Sequence, residues 1–285
     1  IVLLIYLMVK RNAFPSYVAL PLIAGIVYLL QLFYFKNEFI LLNANIVSAI
    51  ISVFTPISVI FGAVFFNRMM ETSGAMNTLR SWLGNISENP VAQLMIIGWA
   101  FAFMLEGASG FGTPVAIAAP ILVGIGFRPM QVVMLALVMN SVPVSFGAVG
   151  TPTWYGFKTL LDSGTIGGED VSSIGKYSAL IHFVAAFVIP ILALRFIVSW
   201  KEIKQNILFI LLSVLSCTVP YLLIAQFNYE FPSLVGGAIG LFVSVLLAGK
   251  GIGLAKTEQK KEKQPIAAKT LIKAFTPTLL LIIIL

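Results

Sequence analysis

One cysteine and one histidine are all that this chain of 285 residues holds of the two commonest transition-metal ligands. Cys217 has no second thiol, so a disulfide framework is excluded. His182 has no second His or Cys at ligand spacing, so neither a metal nor another cofactor is expected. Charge is scarce as well. Lys, Arg, Asp and Glu make up 10% of the residues, less than half of the roughly 25% usual in a soluble domain. That shortage excludes an ordinary cytosolic enzyme. Hydrophobic residues at 59% exclude a disordered chain. The two short patterns that suggest chemistry are also weak. Gly107-Ala108-Ser109-Gly110 lacks the strand-Ser-helix setting of a hydrolase elbow. Gly110-Phe111-Gly112 has no acidic follower or strand-turn-helix unit for a dinucleotide.

What the chain does have is apolar runs with short polar breaks. A membrane helix needs about 20 mostly apolar residues, and helix is the state that satisfies a backbone in lipid. Ile1 to Val9 reads as the tail of one helix. Phe14 to Phe35, Ile46 to Phe66, Met130 to Ala148, Tyr177 to Ile197, Ile207 to Phe227 and Phe231 to Ala248 read as spans, and Leu271 opens another. Pro56, Pro143, Pro190 and Pro220 lie inside spans and predict kinks. The fold class is therefore an all-α polytopic membrane bundle. The chain opens at Ile1 without an initiator Met and stops in the apolar run Leu279 to Leu285, so both ends are expected to be cuts in a longer protein.

The stretch from Asn89 to Phe127 is different. Glu106 is its one charge in 39 residues, and Gly107, Gly110, Gly112, Pro114, Pro120, Gly124 and Gly126 interrupt it. One straight helix cannot absorb these residues. The expected arrangement is a broken or re-entrant hairpin: a first arm over Val91 to Leu105, an unwound glycine-rich turn, and a short helix from Pro114 to Gly124. Thr113 is the expected N-cap of that helix, with Pro114 at its first position. Gly147-Ala148-Val149-Gly150-Thr151-Pro152 echoes Gly110-Phe111-Gly112-Thr113-Pro114, 38 residues later.

The net charge of +7 has to be located before it is interpreted. Alternating sides place 13 Lys and Arg on one face, including the six lysines between Lys250 and Lys269, and three on the other, Lys36, Lys158 and Lys176. The richer side is then cytoplasmic. Within a single transmembrane domain covering 1–285, residues 67–89 read as a cytoplasmic amphipathic loop and 250–270 as a basic cytoplasmic loop. The Lys256–Lys263 run can touch anionic lipid. No aromatic-basic interleaving of the kind that holds single-stranded nucleic acid is present.

Glu106 is the sharpest candidate. A carboxylate at mid-membrane costs several kcal/mol, of order 2.5–3.5 on the insertion scale. Low-dielectric surroundings favour the neutral form of a carboxylic acid, so Glu106 is a candidate proton site, or else an acceptor for turn N–H groups. Ser109, Gly110, Gly112 and Thr113 form a turn at a helix N-terminus, where free N–H groups and the helix dipole suit a small carboxylate. Gly150 and Thr151 repeat that feature. Asn140 and Ser141 are a mid-span polar pair that bonds either a neighbouring helix or a ligand. His182, about a turn into its helix, is either a hydrogen-bonded helix partner or a proton relay.

From Glu106 through Gly107-Ala108-Ser109-Gly110-Phe111-Gly112-Thr113-Pro114 to Leu122, the sequence closely resembles the L-lactate permease family of bacteria and archaea. The likeness continues at Gly126-Phe127 and Pro129, and resumes at Asn140-Ser141-Val142-Pro143-Val144 and Phe146 to Pro152. Elsewhere it is mainly one of hydropathy. The resemblance implies a multi-pass carrier in a prokaryotic cytoplasmic membrane that imports L-lactate, or a related 2-hydroxy acid such as glycolate, with protons. Its partners would be that substrate, protons and membrane lipid, and no nucleic acid. Family members are longer than this chain. The residues alone leave open a Na⁺-coupled carrier of another small carboxylate, a passive anion channel and a membrane-embedded enzyme.

Overall fold

The computed structural model describes residues 1–10, 13–256 and 267–284. Among these the regular elements are all helical, with no strand, and the protein is an all-α polytopic membrane protein. Among the described residues, five helical segments are long and apolar enough to cross a bilayer: Ser16–Phe33, Phe39–Ser58, Pro90–Ser109, Ile207–Ile224 and Pro232–Gly249. A bent pair, Pro129–Met139 with Val144–Asp162, supplies a further span if counted as one.

The chain divides into two units, Ile1–Ser58 and Val59–Leu285. The first holds α1 (Val2–Val9), α2 (Ser16–Phe33), α3 (Phe39–Ser52) and the opening turn of α4 (Phe54–Thr72). The span expected over Ile46 to Phe66 instead begins at Phe39 and breaks at Val53. Pro56 explains the break. It lacks an N–H and clashes with the carbonyl four residues back, so it is accommodated in the first turn of a new helix.

The second unit continues with α5 (Ala75–Asn85), which buries Ala75, Met76, Leu79 and Leu83 on one face. The amphipathic stretch expected as a loop over 67–89 is thus largely helical. Trp82 of α5 meets Phe275 edge-to-face at 5.4 Å. Next comes α6 (Pro90–Gln93), opened by Asn89, whose side chain accepts from the Val91 and Ala92 amides. A π-helical stretch, Leu94–Phe101, leads directly into α7 (Ala102–Ser109). The first arm expected over Val91 to Leu105 is part of a 20-residue span, Pro90–Ser109, and Glu106 lies in its last turn rather than in unwound chain. The following α8 (Thr113–Ile125) is 13 residues long and is capped by Gly112, not Thr113. Gly112 adopts φ 78° and Thr113 is already helical, which moves the expected cap back by one residue.

Then follow α9 (Pro129–Met139), a 3-10 turn over Val144–Phe146, α10 (Gly147–Gly156) and α11 (Lys158–Asp162). The axis bends by 69° between α9 and the segment from Val144, so the span expected over Met130 to Ala148 is broken at Asn140–Pro143. The segment expected as one span from Tyr177 to Ile197 consists of α12 (Gly168–Ala185) and α13 (Ile189–Leu194). Its break falls at residues 186–188, placing Pro190 in the first turn of α13, where no N–H partner is needed. A short α14 (Trp200–Gln205) precedes α15 (Ile207–Ile224), and then come α16 (Pro232–Gly249) and α17 (Ala268–Ile284). Of the basic stretch expected over 250–270, residues 257–266 lie outside the described residues, as does most of the Lys256–Lys263 run.

The core forms where backbones approach closely. α16 packs against α7, and small residues permit it. A Cβ at Gly107 would collide with the Leu234 backbone, and one at Gly237 with the Met104 backbone. α15 and α16 are also joined by the buried Ser213 and Ser244 hydroxyls, 2.8 Å apart.

Candidate functional site

Two turns in the left-handed region of the backbone organise the site. In the first, Gly110, Phe111 and Gly112 have φ of 55°, 50° and 78°; in the second, Ala148, Val149 and Gly150 have 43°, 54° and 73°. The two triplets keep the 38-residue register of the Gly-Thr-Pro repeat. Each ends on a Gly, and each is followed by helical Thr-Pro. Left-handed geometry costs an ordinary residue roughly 1–2 kcal/mol. Phe111, Ala148 and the β-branched Val149 carry that cost here, and such residues persist only where their surroundings hold them. The turns hold one another: a Cβ on Gly110 would sit 2.8 Å from the Ala148 Cβ and 2.9 Å from its amide nitrogen.

Glu106 lies one turn before this junction, 1% exposed. Its Oε2 accepts from Asn140 Nδ2 at 3.1 Å. On the other side is Gly147, where a Cβ would collide with Oε1. The first turn of α16 abuts the next residue, Gly107, through Leu234. Helix first turns present unsatisfied N–H groups and the positive end of the dipole. That of α16 therefore lies beside the acid's neighbour, and Gly147, which opens the second turn, abuts the acid itself. Among the described residues Glu106 forms no ion pair. The arrangement can hold negative charge with dipoles instead of a cation.

The bend at Asn140–Pro143 frees backbone carbonyls, and side chains from other helices engage them. Val142 O accepts from the Tyr221 hydroxyl at 3.4 Å, and Pro143 O accepts from Ser233 Oγ at 2.6 Å. Thr153 Oγ1 donates to Ser145 O at 2.6 Å. His182 Nδ1 lies 2.8 Å from the same Tyr221 oxygen. With Nδ1–H donating to that oxygen and the phenol donating onward, His182, Tyr221 and Val142 O form one line ending at the bend.

The fold thus brings Glu106, Asn140, Gly110 and Gly150 into one neighbourhood. Ser109 and Thr151 are buried beside it, but each hydroxyl donates into its own turn, to Leu105 O at 2.9 Å and to Ala148 O at 2.6 Å. Ser141 is exposed and donates to Val138 O at 2.7 Å. Gly112 is exposed and Thr113 half-buried. His182 bonds Tyr221 and reaches the site only through it. Tyr221 and Ser233 were not singled out in advance. Their one sequence signal was polar or small character beside a proline or glycine inside an apolar run. Among the described residues no cluster of His, Cys, Asp and Glu is suited to a metal.

Across residues 1–285 the chain matches the family model described as L-lactate permease. It is 63% identical over 282 residues to a protein of Haemophilus influenzae provisionally named L-lactate permease, covering 99% of this chain and 52% of that protein. It is 34% identical over 251 residues to the L-lactate permease of Halalkalibacterium halodurans, covering 83% and 45%. It is also 34% identical over 148 residues to the glycolate permease of Escherichia coli K12, covering 52% and 25%. The chain spans about half the length of the first two relatives. No solved structure matches it significantly.

Proposed function

The chain belongs to the L-lactate permease family, and we propose that it forms part of a carrier bringing L-lactate, or a related 2-hydroxy acid such as glycolate, into a prokaryotic cell with protons across the cytoplasmic membrane. The observation that supports this reading best is the buried Glu106 at the junction of two matching left-handed turns. Irregular backbone at membrane depth is tolerated where it is buried in protein or lines a polar cavity, and broken helices near the midplane are how many secondary carriers hold ions and substrates.

In this reading the substrate carboxylate rests against the Ser109–Thr113 turn, with Gly150 and Thr151 of the second turn beside it. Asn140 meets the carboxylate or, with Thr151, the 2-hydroxyl, and Ser141 lies at the exposed edge of the bend. Glu106 takes the coupled proton, and His182 acts through Tyr221 as a second station. An anion and a proton together are neutral, which lowers the cost of moving the loaded site through lipid. The excess of Lys and Arg places Lys10, Arg68, Arg80 and the 250–270 stretch on the cytoplasmic side.

The test is uptake of labelled short hydroxy acids by the full-length protein in vesicles, with and without a protonophore. Saturable lactate or glycolate uptake that collapses with the proton gradient is expected. Uptake driven instead by a sodium gradient would assign the coupling to Na⁺, and unsaturable flux would assign a channel.

A further inference from the structure

Asn140 offers its amide nitrogen to Glu106, while its amide oxygen Oδ1 is buried and has no partner. A buried polar atom without a partner is rare enough to require a reason. An amide has one donor end and one acceptor end. An ionised carboxylate only accepts, so it holds the N–H₂ end and leaves the C=O end without a partner. A protonated carboxyl has an O–H to donate, and that O–H needs the other end of the amide.

We propose that Asn140 is the residue that couples proton to substrate, by turning its amide over when Glu106 is protonated. The proton arrives at Glu106 Oε2. The new O–H donates to Asn140 Oδ1, and the amide rotates by half a turn to allow it. Nδ2 then occupies the place Oδ1 held, with its N–H groups pointing away from Glu106. The spot changes from a lone acceptor, which repels a carboxylate, into a donor, which binds one. Loss of the Glu106 charge acts in the same direction. The anion therefore binds after the proton, and release of the proton turns the amide back and ejects it. Nothing beyond the transported proton and substrate is consumed.

The surroundings leave Glu106 as the group that works this switch. Among the elements packed against α7, the π stretch, α8, the 3-10 turn and α16 carry no ionisable side chain. Tyr155 on α10, Tyr229 and Glu230 ahead of α16, and Lys269 and Lys273 on α17 are the other ionisable groups on or leading into those elements. Tyr221 and His182 are joined to each other beyond the bend. Gly147 blocks sideways movement of the acid, since its Cα lies where only a hydrogen fits beside Oε1.

This inference rests on Glu106 as the proton's station in the proposed carrier, and the experiment separates the two. Lactate affinity is measured across pH on the full-length protein in detergent, for the natural chain, Asn140→Leu, Glu106→Gln and the double variant. The natural protein should bind lactate more tightly as pH falls. Asn140→Leu, close in volume, should lose roughly tenfold at the acid end, the worth of one hydrogen bond to a charged group, and little at the alkaline end. Glu106→Gln, whose amide can always donate to Asn140 Oδ1, should bind tightly at every pH, and only while Asn140 is present. Parallel pH profiles for Asn140→Leu and the natural protein, or a Glu106→Gln affinity indifferent to Asn140, would overturn the switch and leave the carrier reading intact. Failure of the natural protein to bind lactate or glycolate would overturn both.

Discussion

Two spans of similar length and apolar character meet opposite fates in this protein. In Ser16–Phe33, 6% of the residues are buried; in the most apolar 18 residues of Pro90–Ser109, 94% are. Hydropathy describes the solvent a helix can tolerate, and lipid and protein interior are alike in that respect. What distinguishes the two spans is their small and polar residues. Pro90–Ser109 carries Gly98, Gly107, four alanines and the buried Gln93, Glu106 and Ser109. In a bilayer, helices associate through close backbone packing and polar contacts, because lipid is as apolar as Leu. The second span could be buried because it is small enough to be approached, and it could keep an acid because it is buried.

The contrast can be broken by exchanging the features of the two spans. The largest effect is expected at Gly107→Ala. Its Cβ meets the Leu234 backbone, which cannot rotate away, so the cost should reach or exceed the ~3 kcal/mol upper range of overpacking. The fraction of detergent-solubilised full-length protein that stays monodisperse on heating measures it. Next is Val27→Glu, which places an acid on a span with no polar interior. About 3 kcal/mol against insertion is expected, read as loss of membrane-integrated protein relative to Glu106→Gln. Tyr221→Phe removes the hydroxyl between His182 and Val142 O. A loss of ~1 kcal/mol is expected, with the same loss in His182→Gln and no further loss in the double variant. Gly25→Ala, with nothing within 4 Å of the new Cβ, should stabilise by about 0.5–1 kcal/mol.

The smallest effect lies outside the spans. Glu202 is held below the ordinary carboxylate range by hydrogen bonds from the Ser199 hydroxyl and backbone N–H, which outweigh a slight desolvation. A depressed acid adds stability that is complete above its ordinary range and is lost as pH falls from there through its lowered folded-state value. Since Glu202 is only partly buried and solvent screens it, Glu202→Gln should lower stability by only a few tenths of a kcal/mol at neutral pH and flatten the acid limb of a stability-versus-pH curve.

Much of the helical layout was legible in the residues. The helices Ser16–Phe33, Ile207–Ile224 and Pro232–Gly249 lie within three residues of the runs that predicted them, because long apolar runs in lipid admit only helix. Breaks were harder to place. Pro56 and Pro190 were expected to kink spans from within, yet both lie in first turns, since a helix that restarts just ahead of a proline loses no hydrogen bond to it. Glu106 and the Gly-Thr-Pro pair stood out because charge and repetition are local signals. That Asn140 is the acid's partner was not legible. The two are 34 residues apart, and only the 69° bend and the mutual packing of the turns bring them together. Tyr221 and Ser233 escaped notice for a related reason: each meets a carbonyl that exists only once the span has broken.

The winding of Leu94–Phe101 has its own consequence for the acid beyond it. A π-helix hydrogen-bonds to the fifth residue along rather than the fourth, so those eight residues span less length and less rotation than an α-helix of the same count. The rod holds slack. Each residue taken up or let out there swings everything downstream by about 100° and slides it by about 1.5 Å. The direction in which Glu106 points is therefore set partly by how the chain is coiled a full turn or more upstream, at residues that never touch it.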